Sequence, residues 1–189
     1  MLSNKAKELI ELSRIVSFAT WTDKYPQTVI EIFQQADDDK RYLTDEDIEK
    51  IQAIVPGLKT SLDQGKTLRD DVDTIVSQAR QAVLAAYPQI TEPGGGLYPP
   101  TRAEACWRDF WHFLRCITYG ISGQSVAYTS DRGLNYMEQL YQELQVPLQP
   151  MVLGLEKLKF YSLQYFAEPQ QKELAPYFDR LINALKEFK

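Results

Sequence analysis

Cys106, Arg108, Asp109 and His112 bring a thiol, a guanidinium, a carboxylate and an imidazole into one short stretch of chain. In a helix, residues three apart share a face, so the thiol and the carboxylate point the same way with arginine beside them. A buried aspartate without a partner costs several kcal/mol, so Asp109 needs a cation or a set of N–H donors. Arg102 or Arg108 could supply a plain salt bridge; a ligand could supply more. A buried cysteine is most often a small hydrophobe, yet this one could also attach a ligand. His112 is the chain's single histidine, six residues past Cys106 and roughly 120° around the helix, which makes it a poor base for the thiol. With no nucleophile–base pair, metal cluster or phosphate loop in the sequence, the set reads as a holding site and the protein as a non-enzyme.

The element that must position these groups runs from Thr101 to Ser122. Thr101 and Glu104 have the spacing of a capping box, and Gly120 and Gly123 suit a helix exit. Cys106, Asp109, Phe110, Phe113 and Ile117 fall on one face, with Trp107, Trp111, Leu114 and Ile121 on the flank. Arg108, His112, Arg115 and Tyr119 take the remaining side. A helix apolar around so much of its girth is expected to be mostly buried, with Trp107, Phe110 and Trp111 as packing residues and Cys116 in the core.

The 189 residues suffice for one domain, and 44% hydrophobic and 25% charged residues are ordinary for a globular protein. A net charge of −5 offers nothing to nucleic acid or to an anionic membrane. No apolar run approaches the roughly 20 residues that span a bilayer, and the N-terminus lacks a signal-peptide core. The two cysteines, about 15 Å apart along one helix, cannot pair, so a cytoplasmic protein with free thiols is expected.

Apolar periodicity predicts about eight helices and no period-2 strand. The first covers residues 3–19 and a shorter one Thr28–Gln35, followed by a polar turn at 36–40 where Asp37, Asp38 and Asp39 read as solvated. A Thr44-capped helix breaks near Pro56-Gly57 and continues to Leu68, and another runs from Leu68 to Tyr87. After the Thr101–Ser122 helix come one over Leu134–Leu144, one from Pro147 to Tyr165, and a last one after Pro169 that Pro176 is expected to break or kink.

The runs Ala36–Leu43, Tyr87–Gly96, Cys106–Gly120, Gln145–Lys159 and Tyr177–Leu181, with the pairs Thr67-Leu68 and Ile75-Val76, resemble an allophycocyanin-type phycobiliprotein in unbroken order from about residue 36 onward. The Cys-x-Arg-Asp…Leu-Arg…Thr-Tyr pattern within one long helix is the specific part. The resemblance implies an all-α, globin-like phycobiliprotein domain over 36–189, preceded by an N-terminal helical extension over 1–35.

It also implies a bilin, phycocyanobilin or a related open-chain tetrapyrrole, as cofactor. Cys106 matches the attachment cysteine, Asp109 the carboxylate that accepts from pyrrole nitrogens, and Arg108 the partner of a propionate. His112 and Phe113 stand where antenna subunits carry tyrosines and would also contact the pigment. Asp37, Tyr42 and Arg115 match a subunit interface in which the aspartate pairs with the arginine across chains. Gln124 replaces a usual acid, the first 35 residues match poorly, and Trp107 and Trp111 are atypical. Three roles stay open: an auxiliary bilin-handling protein, a light-harvesting phycobilisome subunit with bilin bonded at Cys106, or a pigment-free structural relative. Implied partners are the bilin, a second copy or another phycobiliprotein subunit, or bilin-biosynthesis enzymes. The expected location is the cytoplasm or plastid stroma, with association to the thylakoid face through partners and no membrane insertion. A monomer or dimer is expected over rings.

Overall fold

The computed structural model describes residues 2–189, and among them it has nine α-helices and no sheet beyond one isolated bridge. The helices are α1 (Asn4–Leu12), α2 (Gln27–Asp38), α3 (Asp45–Ile54), α4 (Lys59–Asp70), α5 (Val72–Ala86), α6 (Pro100–Ser122), α7 (Asp131–Leu144), α8 (Leu148–Leu163) and α9 (Glu168–Lys186). The architecture is that of a globin-like helical domain, with α6 through its middle. α4, α5, α8 and α9 pack on α6, while α1 lies along α7.

The second half of α6 is enclosed on every side, which explains its place in the middle of the domain. From Phe113 to Ser122 every residue is buried, including Arg115 and Tyr119, two of the four that the helical wheel assigned to the remaining side. Their burial follows from a polar partner described below. Phe110 and Ile117 leave the Cys106 face for the core, where Phe110 fills the space over Gly154 of α8.

Several boundaries differ from the sequence reading. The first helix stops at Leu12, because the chain from Ser13 to Ser17 turns extended and pairs with 128–130: Ser17 donates to the Tyr128 carbonyl and Ser130 to that of Ile15. The β-branched pair Ile15-Val16 suits that conformation. α2 runs on through Asp38, so Asp37 sits in a helical turn and is buried. α6 begins at Pro100, with Pro99 in the cap position, so Thr101 is already helical and forms no capping box. A proline at the first helical position is preorganised for this. Pro176 does not break α9. It lies on the exposed face, where water can satisfy the carbonyl that loses its donor.

The N-terminal extension belongs to the same core. Phe18, Trp21, Tyr25, Val29 and Phe33 are buried in one cluster with Tyr119, and Trp21 meets Phe18 and Phe33 edge-on at 4.8 and 4.9 Å between ring centroids. Gly123, the cap of α6, makes room for Trp21: a Cβ there would stand 2.2 Å from the indole ring. No helix among the described residues is long and apolar enough to cross a membrane.

Candidate functional site

Between α6 and α7 lies a cleft of about 1030 Å³, at the upper end of the usual range for small-molecule sites. From α6 it is lined by Cys106, Asp109 and Phe113, from α7 by Met137, Tyr141 and Leu144. Arg102 fixes the spacing of the two helices. Its Nη2 donates to the Leu144 carbonyl at 2.6 Å and to that of Gln145, binding the start of α6 to the C-terminal end of α7. Arg102 is therefore spent on carbonyls and leaves Asp109 without a salt bridge.

Asp109 has one polar contact, a long one: the Tyr141 hydroxyl donates to its Oδ2 at 3.4 Å. The apolar surroundings push its carboxyl up to about 6, against the opposing pull of Arg108 and Tyr141. Among the described residues it has no cation in ion-pair contact. Arg108 stands exposed at the cleft's edge. His112 also lines the cleft, and burial together with the cations Arg115, Arg108 and Lys40 lowers its pKa to about 4, so the ring is neutral at pH 7.

Cys106 faces the same cleft and is 3% exposed. Burial and the neighbouring Asp109 push its thiol up to about 12, with only Arg102 opposing. The sequence leaves the balance between desolvation and arginine open; in the fold desolvation wins. Cys116 is fully packed and its thiol is likewise raised to about 12.

Asp37 and Arg115 meet within the chain. Arg115 Nη1 donates to Asp37 Oδ1 at 2.9 Å and to the Tyr119 hydroxyl at 2.8 Å, and Arg14 donates to Asp37 Oδ2 at 2.6 Å. The pair expected across a subunit interface is closed here by the chain's own residues. Tyr42 is buried beside it, its hydroxyl donating to the Trp111 carbonyl at 3.1 Å and its ring T-shaped on Trp111.

The structure thus brings Cys106, Arg108, Asp109, His112 and Phe113 to one cleft; Asp37 and Arg115 line it as well, and Tyr42 does not. Sequence reasoning missed Tyr141, Ile10, Arg14 and Lys40, all of which line it. The Met137, Tyr141, Leu144 stripe of α7 was visible as an apolar face; only the packing shows that part of that face lines a cavity. Among the described residues no cluster of His, Cys, Asp and Glu could hold a metal.

Comparison with known proteins gives the lineage. The sequence profile of the phycobilisome protein family matches residues 31–185. Allophycocyanin subunit alpha-B of Synechocystis sp. is 31% identical over 155 residues, covering 82% of this chain and 96% of the relative. C-phycocyanin-2 beta subunit of Microchaete diplosiphon is 29% identical over 164 residues, 82% of this chain and 95% of its own length. The allophycocyanin alpha chain of Galdieria sulphuraria is 28% identical over 151 residues, 80% of this chain and 94% of its own. The chain belongs to the phycobilisome protein family, as a divergent member.

Proposed function

We propose that the protein is a non-catalytic bilin-binding protein whose cleft between α6 and α7 takes an open-chain tetrapyrrole such as phycocyanobilin, in an auxiliary, bilin-handling role. The observation that carries this is Asp109: a partly buried carboxylate in a mostly apolar cleft, with one long hydrogen bond and no ion pair. Such a group is costly unless a ligand brings N–H donors or positive charge to it. The donor set fits a bilin. Asp109 would accept from the pyrrole nitrogens of the inner rings, Arg108 at the edge would pair with a propionate, and Phe113, Met137 and Leu144 would pack against the ring faces. His112, neutral at pH 7, can donate or accept one hydrogen bond at the same wall. The pigment supplies visible absorption when bound; the protein supplies an ordered cleft that holds it in one shape and keeps water from it.

The auxiliary role is supported by the departures near the pigment and at the assembly surface. His112 and Phe113 stand in place of tyrosines, and Asp37 and Arg115 pair with each other inside one chain. A buried, protonated thiol at Cys106 suits a ligand that is released. A second reading is favoured by one observation: Cys106 lines the same cleft as Asp109, where an attaching enzyme could bond the pigment for antenna use.

Titration with phycocyanobilin tests the site. The wild-type protein is expected to give an intensified red band that Asp109→Ala weakens and shifts to the blue. Identical spectra for the two proteins would remove Asp109 from the site.

A further inference from the structure

We infer that the N-terminal helix α1, outside the segment that matches the family, is a hinged wall of the ligand cleft and that Ile10 is one of its ligand contacts. This rests on the bilin site proposed above and adds to it how the ligand is retained and exchanged.

Three observations carry the inference. First, Leu2, Ile10, Ser13, Arg14 and Ile15 line the same cleft as Asp109 and Cys106, although the family match starts only at residue 31. Ile10 is 38% exposed, in contrast to Ala6 and Leu9 of the same helix, which are buried against the domain. An apolar side chain left open toward a ligand cleft, while its helix neighbours are packed, is placed to touch what enters.

Second, the base of α1 is fixed. Arg14 donates to Asp37 and to Asp38 at 2.6 and 2.9 Å, and backbone hydrogen bonds hold Ile15 and Ser17 to residues 128–130. Gly133 in α7 permits the close approach, since a Cβ there would stand 1.8 Å from the Arg14 carbonyl oxygen.

Third, although α1 lies along α7, its tip has few polar ties. Only two side chains of α1 are buried, and the polar ties are Ser3 Oγ donating to Glu143 Oε1 at 2.8 Å and Lys5 Nζ at 3.0 Å from Oε2. Exposed ion pairs of this kind contribute little. A helix anchored at Ser13–Ser17 and weakly tied at its start swings as a unit, at far less cost than unfolding. A tetrapyrrole too large to slip past Ile10 can then enter and leave with the domain intact, and no covalent bond is needed to keep it.

The test uses the full chain with phycocyanobilin and biliverdin as probes. Ile10→Glu, at a site outside the core, is expected to raise the bilin off-rate about tenfold, and Glu143→Ala, which removes both acceptors of Ser3 and Lys5, about threefold, as exposed ties allow, each with an unchanged urea midpoint. Glu8→Gln, on a residue that does not line the cleft, is expected to leave it unchanged. Alkylation of Cys106 by N-ethylmaleimide, followed by peptide mass mapping, reads the same motion without ligand and is expected to quicken in Glu143→Ala. Off-rates and alkylation rates equal to wild type in both variants would overturn the hinged wall while leaving the bilin site standing. A wild-type protein that takes up neither bilin, while Glu143→Ala alkylates faster than wild type, would remove the bilin site and its contact at Ile10.

Discussion

Arg115 and Asp37 form an ion pair at 2.9 Å in which neither side chain is more than 7% exposed, and both belong to one chain. Arg14 caps the second carboxylate oxygen and Tyr119 the same guanidinium nitrogen. The end of α2 is thereby locked to the middle of α6, next to the cleft. Breaking one half of such a pair is far worse than replacing both. Asp37→Ala is expected to cost about 3–5 kcal/mol in urea unfolding, as for other buried pairs that lose one partner. The double variant Asp37→Leu with Arg115→Met should recover most of that. Equal losses in the single and double variants would show that the charges do not interact.

The same pair bears on assembly. The buried Nε of Arg115 has no hydrogen-bond partner, but the ion pair itself closes within one chain, so Asp37 and Arg115 need no partner chain to meet an opposite charge. Sedimentation velocity at micromolar concentration is expected to give a monomer or dimer, and stable trimeric or hexameric rings would contradict this.

Stability should respond to pH through two opposed groups. Asp109 has a folded pKa raised to about 6, so between pH 6 and 4 the folded state keeps a proton that the unfolded chain gives up, and acidification stabilises. His112 has a folded pKa lowered to about 4, so from pH 6.5 to 4 the unfolded chain takes up the proton first, and acidification destabilises. Each effect amounts to about 1–3 kcal/mol once the solvent in the cleft is allowed for, and in the wild type they largely cancel. Asp109→Asn is expected to be more stable than wild type at pH 7 and to lose that stability steeply down to pH 4. His112→Phe should instead gain stability on acidification. Parallel pH profiles for the three proteins would refute both assignments.

Much of this was legible before the fold. The long central helix and its thiol and carboxylate followed from periodicity and spacing, because a 23-residue helix leaves little choice of face. The reading of the remaining side failed at Arg115 and Tyr119, since a wheel of α6 alone carries no sign of Asp37, 78 residues away. Residues 13–18 read as helix because Ile15, Val16 and Phe18 are apolar at helical spacing. Only the backbone of 128–130, supplied from across the fold, draws Ile15 to Ser17 out of the helix and into an isolated bridge. The cleft itself was invisible for the same reason: Ile10 and Tyr141 reach Asp109's neighbourhood through packing that no local pattern records.

Ligand binding should titrate with Asp109. A bilin that donates to the carboxylate must displace any proton on it, and in the free protein that proton binds with a pKa of about 6. The affinity for phycocyanobilin is expected to be flat above pH 7 and to fall by about tenfold per pH unit below 6, by proton linkage. In Asp109→Asn the affinity should be lower and lack that slope. A slope kept in the variant would mean that another group, the bilin included, titrates instead.

The last expectation concerns attachment at Cys106. A thiol raised from 9.0 to about 12 is about a thousandfold poorer in thiolate near pH 8 than an unperturbed one, at tenfold per unit of pKa. Burial at 3% exposure adds a steric barrier. Bilin incubated with the protein alone should therefore leave with denaturant, and a denaturing gel stained with zinc should show no fluorescent band. A bilin-attaching enzyme could succeed only by opening the cleft and drawing the proton from the thiol, and its product would lose the band in Cys106→Ala. A strong band from the protein and bilin alone would show that the thiol is reactive in place. That result would move the protein from releasing its pigment to keeping it, as a light-harvesting subunit must.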